Sequence, residues 1–541
     1  MSTAPPEESA DNTRAGWRIV LLVLLAFAEF AAIDAHNLRV SEACKPYLFY
    51  AVQATHFGLL FAAGLMVAML PNLRGLWQEL CGAALRHHWQ RYLFAQLSVF
   101  ALFYVCSDVF FASLEACAVS SATLIAWVFL AAATLLLFIA CLAHYRFWFS
   151  FLGRLRQAML LSALVAAAVT VVARLSQGLW GSLAELTFHV SARLLALMYP
   201  DEMIYAELND KILGTSEFRV NIAPDCSGYE GIGLIIGFLT LYLSLFRAEL
   251  RFPRALLLYP IGIVAIWLFN ALRITVLIAI GDSWSPEIAL GGFHSQAGWI
   301  AFIAIALGLI ALIHNAQFFV RNKPPVAQVA RRHEPLSTAM LLPIVVLLAV
   351  TLVSGAFSAG FDWLYPLRVL ATGAVLLCFW RALELRSYRP AWEPVLAGIV
   401  VFGLWLLTVP KNADADAAFS LALAQSIPAI TIGWLLMRSI GSIITVPLAE
   451  ELAFRGYMLS KLCGREAAMS DRLPLNWFAI AGSSLAFGLL HGAWMAGTLA
   501  GLLYAWARYR HGRVLDAVLA HMVTNALVTA YVLLTAQWVY W

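Results

Sequence analysis

The sequence predicts an all-α fold, a polytopic integral membrane protein made of helix bundles with two functional units in one chain. Three observations lead there. Of 541 residues, 62% are hydrophobic and 12% charged, where soluble domains average about 45–50% apolar and about 25% charged. The mean hydropathy is +0.81. Apolar runs of bilayer length, about 20 residues per helix, recur along the chain. This composition excludes a soluble enzyme. The net charge of +4 does not mark a nucleic-acid surface, because the basic residues cluster in short loops between apolar runs, where they act as orientation signals.

The first sixteen residues are polar, and the run Val20–Ala32 that follows has no small-residue cleavage site, so it is expected to remain as the first helix. Further runs complete the first half at roughly 17–35, 46–70, 91–113, 118–142, 157–182, 228–246, 255–281 and 293–315, with a weaker amphipathic one at 183–199. Between them, 200–226 is a polar insertion whose alternation at Glu217–Ile222 suits a short strand outside the hydrocarbon. Residues 321–336, with adjacent prolines and four basic residues, form a cytoplasmic linker. Runs then follow at 337–357, 363–381, 392–410, 419–437, 442–460, 475–490, 492–508 and 514–536. The resulting division is an N-terminal transmembrane region (1–90), a first catalytic unit (91–320), the linker (321–336), connecting helices (337–419) and a second unit (420–541). The eight cysteines show no CxxC pair and no disulfide framework, and most read as small buried hydrophobes. His87 and His88 read as part of a solvated charged loop, and Trp284, Trp299, Trp538 and Trp541 as interfacial anchors.

Basic loops set a topology. Arg14 and Arg18 put the N-terminus in the cytoplasm, with Arg74, Arg86, Arg91, Arg146, Arg154, Arg156, Arg247, Arg251, Arg254 and the linker also inside; the 200–226 insertion lies outside. In the second half, counting places Lys461, Arg465 and Arg472 outside, yet they and Arg508, Arg510 and Arg513 read as cytoplasmic. One run between 419 and 460 is therefore expected to be re-entrant or not to cross.

That topology brings Cys226 (in PDCSGYEGIG), Arg273 (in NALRI) and His294 (in GGFHSQAGW) to the extracytoplasmic boundary on successive helices. Together they hold the parts for amide cleavage: a thiolate nucleophile, an imidazole to protonate the leaving amine, and a guanidinium for the oxyanion. Taken singly, each has a plainer reading as an inert thiol, a solvated His or a snorkelling Arg, but Arg273 between Leu272 and Ile274 demands a partner. The three strings resemble the exosortase and archaeosortase family, matching its Cys, Arg and His, with Asn270 at the Asn that often precedes the Arg. The resemblance implies a peptidase that cuts a C-terminal sorting signal (short motif, transmembrane helix, basic tail) and transfers the new carboxyl end to a cell-surface acceptor of unknown nature. It also implies residence in a bacterial inner membrane.

The second half carries LAEELAFRGYM, FGLLHGAW and HMVTN. Carboxylates in an apolar run are functional candidates by default. On a helix Glu451 can pair with Arg455 four residues on, leaving Glu450 to face elsewhere, while Phe487 and His491, and His521 and Asn525, each share a stripe. Three readings stand side by side: acid–base peptide hydrolysis in a membrane cavity, zinc held by Glu450, His491 and His521, or a buried Glu451–Arg455 ion pair of purely structural value. The EExxxR, FxxxH and HxxxN order resembles the CPBP intramembrane proteases, which include the prenyl-protein (CAAX) endopeptidases. It implies a metal-free glutamic mechanism with Glu450 as base. It assigns Glu451, Arg455, His491, His521 and Asn525 to the family's other motif positions.

A chain bearing both units resembles the exosortase E fusion proteins of VPEID-type sorting systems, and such a fusion suggests that the second unit clears the cleaved membrane tail. The competing classes are a transporter using intramembrane Glu and His as proton relays, against which no inverted repeat is visible, and a non-catalytic helix-binding scaffold.

Overall fold

The computed structural model describes residues 6–34, 45–69, 72–85, 87–222, 228–321, 335–383 and 388–541. Among these, eight helices are long and apolar enough to cross a membrane, and sheet is confined to one small element. The protein is an all-α, multi-pass membrane protein. Its chain forms two compact units, Met1–Leu175 and Ser176–Trp541.

The first unit holds α1 (Pro6–Asp34), α2 (Lys45–Met69), α3 (Leu73–Leu85), α4 (Gln90–Glu115) and α5 (Ser121–Leu142), and α6 (Tyr145–Met198) begins in it. Ser120 caps α5 by accepting from the Thr123 N–H, satisfying a donor left free at the helix start. The small residues Ala15, Ala84, Cys81 and Cys141 let α1, α3 and α5 pack closely. His87 is not merely solvated, since its Nε2 lies 2.6 Å from the Ala140 carbonyl. Cys117, expected to be a plain thiol, is disulfide-bonded.

In the second unit, α6 merges the runs read as 157–182 and 183–199, because no proline interrupts it and the helix runs through Gly178 and Gly181. The polar insertion folds as an antiparallel three-stranded sheet, β1 (Tyr205–Glu207), β2 (Ile212–Gly214) and β3 (Arg219–Asn221), the last inside the stretch expected to be a strand. Then come α7 (Tyr229–Leu245), α8 (Leu258–Ser283) and α9 (His294–Asn315), whose core is Ile235, Leu239, Ile266, Ile305 and Leu309. The later helices are α10 (Pro335–Ala356), α11 (Tyr365–Cys378), α12 (Trp392–Thr408), α13 (Ala413–Ala424), α14 (Pro428–Leu462), α15 (Trp477–Gly488), α16 (Trp494–His511) and α17 (Val514–Thr535).

The parity conflict resolves here. The run read as 419–437 is divided between α13 and α14, and from Pro428 it continues through the run read as 442–460 as one span, α14, carried past Gly441 and Pro447 by π-helical turns at Gly441–Thr445 and Leu452–Met458. The short α13 turns back on α12 at 109°. With one crossing fewer, the basic loops of this unit gather at one end. Asp471 N donates to Gly512 O at 2.8 Å, Val514 N to Met469 O at 2.9 Å, and Arg513 Nη1 to Arg389 O at 3.0 Å. Arg251 N donates to Phe319 O at 2.8 Å and Arg321 N to Glu249 O at 2.9 Å, at the ends of α7 and α9. Helix α10 spans the unit between its two ends. Its Ala339 and Met340 pack with Leu383, Met469 and Val514 at the basic end, while at the other the Gly355 and Ser358 carbonyls press on Gly292, where only glycine fits.

Candidate active sites

The first site forms where α7, α8 and α9 meet, at the end away from the basic loops. Gly228 starts α7 with φ of +97°, a left-handed conformation that suits glycine, and its missing side chain leaves room for Asn270, whose Nδ2 would lie 3.1 Å from a Cβ. Arg273, one turn further along α8, lies over Gly298 of α9, where a Cβ would be 3.2 Å from Nη1. Ser191 of α6 donates to the Ala271 carbonyl at 3.2 Å and fixes α8 from behind. A π-helical turn, Ala289–Phe293, leads into α9 and delivers His294 at its first residue. Asn270, Arg273, His294, Gly228, Glu230 and Trp299 line one cavity of about 340 Å³. Cys226 lies outside the described residues, two positions before Gly228.

The second site sits between α14, α15, α16 and α17. Glu450 and Glu451 occupy the short α-helical stretch of α14 between its two π-helical turns. Both are buried, and their roles separate by contact. Glu451 Oε1 lies 3.1 Å from His521 Nδ1 and accepts from Arg455 Nη1 at 3.2 Å. Arg455, fully buried, also donates to the Gly501 carbonyl at 2.8 Å and stacks 4.3 Å from the Phe487 ring. Glu450 Oε2 has no hydrogen-bond partner among the described residues, yet lies 4.0 Å from both His491 Nε2 and His521 Nδ1.

The two imidazoles are held differently. His491 follows the end of α15 and points Nδ1 at the Phe487 carbonyl, 2.9 Å away. That carbonyl can only accept, so Nδ1 carries a proton, and Nε2 faces Glu450. His521 stacks on Tyr504, with ring centroids 4.8 Å apart. Asn525, one turn along α17, donates to the Ser442 carbonyl at 2.7 Å and keeps one amide hydrogen to spare. His491, His521 and Asn525 line a cavity of about 190 Å³, which continues past Ser442 to Trp405, Arg438 and Trp541. Among the described residues, no group of three His, Cys, Asp or Glu is arranged to hold a metal ion. Glu450 Oε2 meets the Nδ1 edge of His521, which Glu451 also contacts at 3.1 Å.

Residues 53–311 match the transmembrane exosortase family, and residues 432–527 match the type II CAAX prenyl endopeptidase Rce1-like family. The chain thus joins a region that matches transmembrane exosortases to a region that matches Rce1-like CAAX endopeptidases. No curated protein and no solved structure matches it.

The fusion is thus a membrane peptidase in which the first cavity lies within the exosortase match, and the second is lined by the Rce1-like match together with Tyr365, Trp405, Val528, Tyr540 and Trp541 outside it. Several lining residues escaped the sequence reading. Trp299 and Trp541, expected to be anchors, line the first and second cavities, and the Trp541 carbonyl accepts from Arg438. Tyr504 gave no signal, because an aromatic in an apolar helix is ordinary core until its partner, here His521, is known.

Proposed function

We propose that the first site cuts exported proteins at a C-terminal sorting signal and that the second hydrolyses peptide bonds within the membrane by a metal-free glutamic mechanism. The observation that carries the second half is the division between neighbouring carboxylates. Glu451 is committed to Arg455 and His521, whereas Glu450 keeps a buried oxygen that has no hydrogen-bond partner among the described residues, 4.0 Å from two imidazoles. That distance is too long for a hydrogen bond and close to the span of one bridging water. A water there donates to Glu450, which takes its proton as the oxygen attacks the substrate carbonyl. The spare Asn525 amide hydrogen stabilises the oxyanion, and Glu450 then passes the proton to the leaving amine.

At the first site the Cys226 thiolate attacks the scissile carbonyl, Arg273 stabilises the oxyanion, and His294 protonates the departing amine of the membrane helix. The resulting thioester is released to an amine or hydroxyl of a cell-surface acceptor. This reading is supported by the shared cavity of Arg273 and His294 and by Gly228 at its wall, two residues beyond Cys226. A bacterial inner membrane with the N-terminus and basic loops in the cytoplasm accords with the gathering of Arg251, Arg321, Arg389 and Arg513 at one end of the second unit. The disulfide at Cys117 accords with an extracytoplasmic loop at 116–120.

The test uses the full chain in lipid nanodiscs, with membrane-helix peptides as substrates and mass spectrometry of new ends. Wild type and Cys226→Ala are expected to generate the second site's cuts, and Glu450→Gln none. Equal cutting by Glu450→Gln contradicts the glutamic assignment.

A further inference from the structure

We infer that the second site opens on the same membrane face as the first, and that its substrate is the transmembrane stub left by the first site's cut. This rests on the reading of both sites as peptidases. The geometry is internal to the second unit. Helix α12 begins at the basic end, where Glu393 meets Arg510 and His511 at 3.5 and 3.6 Å, and finishes at the other end, where Trp405 Nε1 donates to the Tyr540 carbonyl at 3.3 Å. Helix α17 runs the same way from Asp516, paired with Arg513 at 2.9 Å. The cavity that begins at His521 therefore extends away from the basic loops to Trp405, Arg438, Tyr540 and Trp541. Toward the basic end lie the buried Arg455, Arg508, Asp516 and Ala517, none of which lines the cavity.

The first cavity lies at that same end, because α9 and α10 are antiparallel and the start of α9 abuts the finish of α10. Gln296, two residues from His294, lies 3.4 Å from where a Gly355 side chain would begin, and the Trp284 and Phe357 rings are 5.8 Å apart. From there a short connector reaches the second cavity. Arg368 pairs with Asp362 at 2.6 Å and donates to Ser354 at 3.0 Å, and Trp434 donates to the Asp362 carbonyl at 2.9 Å. Tyr365, under the Arg438 guanidinium at 4.3 Å, lines the second cavity.

Basic loops on the opposite end put this shared face outside. The stub fits the site in three respects. Cysteine attack releases it with a new amino end on that outer face, its apolar helix is confined to the bilayer, and its basic tail remains at the end of the basic loops. Hydrolysis then consumes one water per peptide bond and yields fragments too short to span. The reaction that supplies the second site is thus the amide cleavage performed by the first.

The test expresses a pre-cut stub, with its amino end outside and its basic tail inside, beside Cys226→Ala, the double variant Cys226→Ala/Glu450→Gln, or no enzyme. Fragments are read by mass spectrometry, and new protein ends across the membrane fraction are inventoried in parallel. The expected result is at least a tenfold loss of intact stub with Cys226→Ala alone, and survival of a reversed stub whose amino end lies inside. A stub equally stable in all three overturns the inference. If Glu450-dependent ends still appear on other proteins, only the substrate assignment falls; if none appears, the glutamic peptidase reading falls with it. Equal cutting of the reversed stub overturns the shared-face claim.

Discussion

Glu451 and His521, seventy positions apart in sequence, meet at 3.1 Å in the interior of the second unit, with the Arg455 guanidinium on the same carboxylate. This contact ties Glu451 to Arg455 and His521, and the proposed mechanism gives the chemistry to Glu450. Removing the charge of Glu451 strands a fully buried Arg455. Glu451→Gln is therefore expected to cost about 3–5 kcal/mol, the usual penalty for one partner of a buried pair. Thermal unfolding in detergent measures it.

Glu450→Gln makes the opposite test. Its Oε2 has no hydrogen-bond partner among the described residues, so the midpoint of unfolding is expected to stay or rise, while second-site turnover falls by about 10²–10⁴, the range for losing a general base. A parallel loss of stability and activity would assign Glu450 to packing.

Arg273 should not tolerate a Lys. A compact ammonium cannot reproduce the planar fork that lies over Gly298, and Arg273→Lys is expected to lower first-site turnover about 10²-fold, as for loss of one oxyanion donor. Gly298→Ala pushes on the same guanidinium from 3.2 Å. It is expected to reduce turnover about tenfold, since small misplacements at a reacting centre are costly, with KM little changed. Reporter cleavage rates for the two variants check both.

Chelation separates the metal and acid–base chemistries. Treatment with 1,10-phenanthroline is expected to leave second-site cleavage intact, because the proposed mechanism activates water with the Glu450 carboxylate alone and, among the described residues, no three His, Cys, Asp or Glu are arranged to hold a metal. Loss of activity restored by added zinc would contradict this.

The all-helical fold and the pairing of Glu451 with Arg455 were legible in the sequence because both follow from local spacing: apolar runs of bilayer length, and residues four apart on one helix face. The α14 span was not legible as one element. Gly441 and Pro447 look like breaks, and only the π-helical turns around them show how the helix continues. The same holds for Arg438, Tyr504 and Trp541, whose places in the second cavity arise from helix packing over long sequence separations, which no periodicity encodes. For the first site, Arg273 and His294 could be paired only after the topology had put the ends of α8 and α9 on one face.

The central claim, two separate peptidase centres in one chain, is tested most directly with a membrane reporter ending in a short sorting motif, a transmembrane helix and a basic tail. It is expressed with wild type, Cys226→Ala or Glu450→Ala, and every reporter fragment is weighed by mass spectrometry. Two distinct defects are expected: an uncut sorting signal with Cys226→Ala, and a normally matured reporter with an accumulating stub with Glu450→Ala. Identical fragment patterns from all three proteins, on a reporter that a control exosortase does cut, would contradict it.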